Sequence, residues 1–151
     1  MILKAIFNMT ATADLQRFLN AQQEDYATAL QEIKAGRKSS HWMWYIFPQI
    51  NGLGFSSTSV YYGIKDIEEA SAYLKHPMLG KNLLEISEAL LSLEGRDATS
   101  IFGYPDDLKL KSSMTLFSSI PDSPAVFQQV LDKYFDGDAD PKTLQLLSIS
   151  Q

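Results

Sequence analysis

Along most of this chain apolar residues recur at steps of three and four, and nearly every such run is cut by a glycine or a proline. Side chains at that spacing share one stripe of an α-helix, whereas a half-buried strand needs strict alternation, so the pattern commits the chain to helices. Leu15, Phe18, Leu19, Tyr26, Ala29, Leu30 and Ile33 make the first stripe, over Asp14 to Ala35, with Thr12 or Asp14 as its cap and Gly36 as its stop. Asp66-x-x-Glu69 is a capping-box-like start before Ala70, Tyr73 and Leu74. Pro77 closes that helix and suits the first position of the next, whose stripe of Leu79, Leu83, Ile86 and Leu90 runs toward Gly95. Asp97 to Phe102 reads as a short turn of helix ending at Gly103, and Pro105-Asp-Asp opens another from about Asp106 to Ser118 with Leu110, Met114 and Phe117 inward. Ser123-Pro124 looks like a cap and a first-turn proline for Val126, Phe127, Val130, Leu131, Tyr134 and Phe135, and Asp140-Pro141 repeats that signal for a final short helix.

Between the first two stripes, Arg37 to Pro48 packs bulky residues without periodicity, as a short strand or a buried helical turn would, and Asn51-Gly-Leu-Gly54 marks a loop. Five or six helices and at most one short strand give an all-α class: a compact multihelical bundle forming a single domain over 14–151, behind a flexible leader at 1–13. That leader is too broken by Lys4 and Asn8 to serve as an export signal, so the expected location is cytoplasmic. At 151 residues the chain suits one domain, and 45% hydrophobic residues suffice for a core.

Composition removes several kinds of chemistry. With no cysteine and only His41 and His76, thiolate metal sites, disulfides and cysteine nucleophiles drop out, and no metal or cofactor is expected. A net charge of −5 argues against broad nucleic-acid binding, and no apolar run is long enough to span a membrane. Asp136-Gly-Asp-Ala-Asp140 lacks the glycine and the final carboxylate of a calcium loop, and Gly52-Leu-Gly54 lacks the remainder of a phosphate-binding fingerprint.

Two segments concentrate the residue types that recognise small molecules. In the first, Trp42, Trp44, Tyr45 and Phe47 are either core or the floor of a pocket. Arg37, Lys38, Ser39, Ser40 and His41 precede them, and Gln49, Asn51 and two glycines follow, the layout of a site for a small anionic ligand with Trp42 as its stacking platform. In the second, Lys109, Ser112, Ser113 and Thr115 stand at helical spacing, so that they form either a solvated face or an ammonium with hydroxyl donors lining a site. Asp106 and Asp107 fit first-turn capping, and His76 fits a surface position near a cap. If the chain is an enzyme, a metal-free hydrolase or lyase using His41 or a carboxylate is the type expected; a serine–histidine pair is a matter of geometry that adjacency in sequence does not supply.

Asp14-Leu-Gln-Arg-Phe-Leu-Asn-Ala-Gln, Ser40-His-Trp-Met-Trp-Tyr-Ile-Phe-Pro-Gln49 with Gly52-Leu-Gly54, Tyr73-Leu-Lys-His-Pro-Met-Leu-Gly80, and Asp107-Leu-Lys-Leu-Lys-Ser-Ser-Met-Thr-Leu-Phe117 carry a resemblance. Together they resemble the bacterial family of unknown function numbered 1810, over nearly the whole stretch from Asp14 to Leu147. The resemblance implies a compact all-α domain and brings no catalytic residues with it. The label calpastatin sometimes given to that family does not suit this chain, because such inhibitors are disordered and aromatic-poor. A shorter segment, Leu79-Gly-Lys-Asn-Leu-Leu-Glu85, is similar to a helix of proteins that cleave N-glycosidic bonds in ADP-ribose and riboflavin-pathway intermediates, although their tryptophan and acidic residues have no counterparts here at matching spacing.

Two readings follow. In the first, Arg37, Lys38, Ser40, Trp42, Trp44, Gln49, Lys109, Ser112, Ser113 and Thr115 bind a small anionic or nucleotide-like ligand, with His41 as the candidate catalytic group. In the second, the chain is a protein–protein interaction or regulatory module whose aromatics only fill its core. A shared cavity between the two segments favours the first, and separate burial with an apolar patch elsewhere favours the second.

Overall fold

The structure, a computed structural model, describes residues 2–150, with side chains described over 15–149. The leader expected at 1–13, and the cap expected at Thr12 or Asp14, lie outside the residues described in full. Among the described residues the helices are α1 (Ile2–Lys34), α2 (Met43–Ile46), α3 (Ser57–Tyr62), α4 (Ile67–Lys75), α5 (Pro77–Ser92), α6 (Ala98–Phe102), α7 (Asp106–Ser118), α8 (Val126–Phe135) and α9 (Pro141–Ser150). They include no strand; one isolated parallel bridge joins Ile50 to Ile64.

The all-α class therefore holds, and the count of five or six helices is corrected to nine among the described residues. Short helices make the difference. Four-residue α2 settles the aperiodic Arg37–Pro48 stretch as a helical turn, and α3 has no fully buried residue, so it leaves no apolar stripe to read. The helix expected from Ser123-Pro124 also starts later than expected. Ser123 Oγ donates instead to the Phe117 carbonyl at 2.7 Å, and α8 begins at Val126 without a side-chain cap.

α1 packs on α5, α2 and α4; α5 packs on α4 and α8; α7 lies among α4, α6, α8 and α9. Phe18, Tyr73, Phe117 and Phe127 run through the core as a chain of ring contacts with centroids 5.1, 5.4 and 5.8 Å apart, inside the range in which tilted aromatic pairs attract. At the corner between α4 and α5, His76 is itself the cap: its Nδ1 accepts the amides of Met78 and Leu79 at 3.1 and 3.3 Å, ahead of Pro77 at the first helical position. The corner is tight enough that a Cβ on Gly80 would lie 2.0 Å from the Leu74 carbonyl oxygen, which only glycine tolerates.

The central place of α7 bears directly on the site. Asp107, Leu110 and every residue from Ser112 to Phe117 are buried, because neighbouring helices wrap most of its circumference. The solvated-face reading of its hydroxyls is thereby excluded.

Candidate functional site

Residues 49–64 leave the bundle and return to it. Ile64 N donates to the Gln49 carbonyl and Asn51 N to the Ile64 carbonyl, at 2.8 and 2.7 Å, and these two bonds pinch the base of an excursion made of Gly52-Leu53-Gly54 and α3. Gly52 takes φ +109°, a value closed to ordinary side chains, and this turns the chain back over Leu146. One wall of a 290 Å³ cavity is this excursion, through Gln49, Ile50, Gly52, Leu53, Gly54, Ser59, Tyr62 and Gly63. Pro105, Leu108, Lys109 and Ser112 at the start of α7 form the second wall; Trp44 lies between them, and Asp140 and Lys142 close the end. The two segments singled out in the sequence therefore meet in one cavity.

Its positive pole is built in two layers. Asp106 holds Lys109 Nζ on Oδ1 and Lys38 Nζ on Oδ2, each at 2.8 Å. Burial pushes the Asp106 carboxyl up, but the hydrogen bonds and charges of Lys109 and Lys38 outweigh it and hold the group below the usual aspartate value. Two ammoniums on one carboxylate leave one positive charge uncompensated. Lys109 Nζ also lies 4.3 Å from the centroid of the Trp44 ring, a distance at which the ring face attracts a cation. Lys38 lies behind it, nearly buried, 5.1 Å over Trp42. Asp107 does what first-turn acids do, accepting Leu108 N at 2.9 Å and the Thr99 hydroxyl at 2.7 Å.

The opposite pole is Asp140, the residue before α9. Its Oδ2 accepts Thr143 N at 3.1 Å, Thr143 Oγ1 at 2.5 Å and Ser112 Oγ at 3.2 Å, while its own amide donates to Thr115 Oγ1 at 2.9 Å. This is an N-cap fastened to α7, so the carboxylate stands at a fixed place in the wall.

Of the residues expected at the site, Trp44, Gln49, Lys109 and Ser112 line the cavity. The others are placed elsewhere, each for a visible reason. Trp42 is 1% exposed, packed against Phe47 and Phe102 with its Nε1 donating to Glu32 at 2.9 Å, so it cannot be a stacking platform. Ser40 donates its amide and its hydroxyl to the same Glu32, Arg37 points to solvent, and Lys38 serves the cavity only through Asp106. His41 is exposed and outside the lining; its backbone carbonyl accepts from Tyr45, and among the described residues no carboxylate or nucleophile is hydrogen-bonded to its ring. Ser113 lies about 100° round α7 from Ser112 and is sealed, its hydroxyl without a partner among the described residues. Thr115 spends its hydroxyl on the Lys111 carbonyl and on Asp140 N. The segment Leu79–Glu85 lies within α5, with Leu79, Asn82 and Leu83 buried and none of them in the cavity.

Sequence reasoning missed Tyr62, Ser59, Asp140 and Lys142. The Asp140-Pro141 signal announced a helix start, and nothing in its spacing told which other element that start would face. Among the described residues no three acidic or histidine side chains gather to hold a metal ion, and no helix is long and apolar enough to cross a membrane.

Comparison with known proteins agrees with this architecture. No functionally curated protein matches the chain. The crystal structure of the conserved hypothetical protein Rv1873 from Mycobacterium tuberculosis is 48% identical and superimposes with a TM-score of 0.88, covering 89% of this chain and 96% of that one. The model of the family described as "Protein of unknown function (DUF1810)" matches residues 12–147. With a match over that much of its length, the chain belongs to the DUF1810 family.

Proposed function

We propose that this chain is a binding domain for a small anionic, nucleotide-like ligand held between the 44–63 segment, the start of α7 and the start of α9. One observation carries the reading: Lys109, shared between Asp106 and the face of Trp44, keeps a positive pole in the wall of a cavity on a chain whose net charge is −5. A local positive pole in a low-dielectric cleft concentrates anions there against the field of the rest of the surface. Leu53, Ile50, Tyr62 and Pro105 supply apolar and flat contact for the body of the ligand, and Gln49 supplies an amide. The volume of 290 Å³ sits at the lower edge of the roughly 300–1,000 Å³ usual for ligand sites, which fits a small molecule. Binding is favoured over hydrolysis or lyase chemistry, because His41 lies outside the cavity and the Asp140 carboxylate is tied into a cap.

Trp44 gives the assay its signal. Adenosine monophosphate or inorganic phosphate, titrated into the chain at low ionic strength, is expected to change tryptophan fluorescence and raise the melting temperature. Lys109→Ala is expected to abolish both responses. It should lower the melting temperature of the free protein by less than about 4 °C, because Asp106 keeps Lys38 as its partner. A large loss of stability in Lys109→Ala would make the lysine structural and remove the support for an anion site.

The protein-module reading keeps one observation in its favour. Phe55, Tyr61 and Tyr104 are exposed, and each is next in sequence to a residue of the cavity lining. On that reading a partner covers the cavity mouth, and the free chain leaves phosphate and nucleotides unbound.

A further inference from the structure

Resting on that reading and deepening it, we infer that the ligand is amphoteric: it carries an amine or other N–H donor for Asp140 Oδ1 as well as an anionic group for Lys109. All the hydrogen bonds described for the Asp140 carboxylate converge on Oδ2, two from Thr143 and one from Ser112. Oδ1 receives none of them. It is also absent from the polar atoms sealed without a partner, a state found among the described residues only for Ser113 Oγ, so Oδ1 is open. Asp140 lines the cavity, its carboxylate is fixed by the cap through Oδ2, and its Oδ1 is neither sealed nor taken by an internal donor.

The two poles are at a set separation. Lys109 and Ser112 are three residues apart on α7, neighbours on one face at about 5–6 Å between Cβ atoms, and Ser112 is bonded to Asp140. Lys109 Nζ is drawn back one turn to Asp106 and Asp140 sits one turn onward at Ser112, so cation and acceptor stand about two helical turns apart, roughly 9 Å along α7. A purely anionic guest would satisfy Lys109, and at the end closed by Asp140 and Lys142 it could reach the ammonium only by setting its charge against Oδ1. A guest with an N–H donor there makes a charge-assisted bond instead of a repulsion. Selection against guests that lack the donor follows, because an acceptor stripped of water and left unpaired is costly.

The test uses two matched pairs on the full chain, by isothermal titration calorimetry: 4-aminobutyrate against butyrate, and adenosine monophosphate against its analogue lacking the six-amino group. In at least one pair the amine-bearing member should bind at least tenfold tighter. Asp140→Asn then reverses the polarity at one atom. The two donors from Thr143 hold the amide oxygen in the place of Oδ2, so the cap persists and the NH₂ must take the place of Oδ1. The amine preference should fall below twofold in Asp140→Asn, while the amine-free member binds as well as before or better. Equal binding within both pairs on the wild-type chain overturns the inference and leaves the anion site standing, and this arm needs no variant to fold. Persistence of the amine preference in a folded Asp140→Asn overturns the role of Asp140. Binding of none of the four compounds removes the anion site, and the inference with it.

Discussion

Glu32, in the last turn of α1, offers the sharpest test of how the first motif segment is built. Its Oε1 accepts Ser39 N at 2.8 Å, Ser40 N at 3.0 Å and Trp42 Nε1 at 2.9 Å, and its Oε2 accepts Ser40 Oγ at 2.5 Å. Burial pushes the carboxyl up, but the Ser40 hydroxyl, the Trp42 indole and the two amides outweigh it and hold the pKa at about 2, against the ordinary 4.5. Glu32→Ala strands the donor of an indole that is 1% exposed, at a cost of ~1–3 kcal/mol. The remaining three donors lie nearer the surface, where water replaces the carboxylate, and their loss adds on the order of 1 kcal/mol. The sum, ~2–4 kcal/mol, corresponds to a fall in melting temperature of roughly 5–15 °C for a chain of this size.

The sign with pH follows from the direction of the shift. A carboxylate whose folded pKa lies below its unfolded one contributes fully above the unfolded value, here 4.5, and loses that contribution as the pH falls toward about 2. Glu32→Gln keeps an acceptor for the three donors on Oε1 and removes the titration. The stability gap between wild type and Glu32→Gln should therefore be constant from pH 7 down to about 5, then narrow between about 4.5 and 2. Urea unfolding followed by tryptophan fluorescence at pH 7, 5 and 3 measures both effects. A loss below about 1 kcal/mol in Glu32→Ala, or a gap that does not narrow with acid, would refute the hub.

Gly80→Ala must push its new methyl away from a backbone oxygen 2.0 Å distant, so the corner between α4 and α5 has to open; a loss of ~1–3 kcal/mol in thermal unfolding is expected. Tyr73→Phe removes the hydroxyl that accepts Gln22 Nε2 at 2.7 Å inside the core, and leaving that donor short of a partner should cost ~1–3 kcal/mol in urea. Burial pushes the Tyr73 phenol up, so ultraviolet titration of the native chain should find one fewer ionising tyrosine in the variant only above the pH at which the fold opens.

The longer helices were legible because each buries one face and keeps the other wet, which is what a three-to-four spacing encodes. Phe18 and Ile33 on α1, Leu79 and Ile86 on α5, and Phe127 and Leu131 on α8 are buried as their stripes require. The places where that logic failed share a cause. α3 buries no residue fully, so it carries no stripe, and α7 is wrapped by helices on most sides, so its hydroxyls at 112, 113 and 115 look like a surface pattern while lying inside. Ser123 resembled a cap because serine before proline commonly is one, yet its hydroxyl donates to the carbonyl of Phe117 near the end of α7.

The candidate site divides along the same line. Lys38, Ser40, Trp42, Lys109, Ser112 and Thr115 are the donors a chain uses to hold an anion, and most of them do hold one, supplied by the protein itself. Glu32 takes the amides and hydroxyl after α1, Asp106 takes two lysines, and Asp140 takes the hydroxyls of α7 and α9. Those carboxylates are separated from some of their partners by 8 to 28 residues or more, and nothing in local spacing announces the pairing. A donor cluster read from sequence therefore overstates the site by the amount that internal acids consume. What they leave over is small and located on residues that line one cavity: the charge of Lys109 beyond its half share of Asp106, the Gln49 amide, Lys142, and the oxygen of Asp140 that no internal donor takes. If the cavity binds a ligand as proposed, a remainder with both signs selects for both signs in the guest, and that selectivity would distinguish it from a basic patch that merely attracts phosphate.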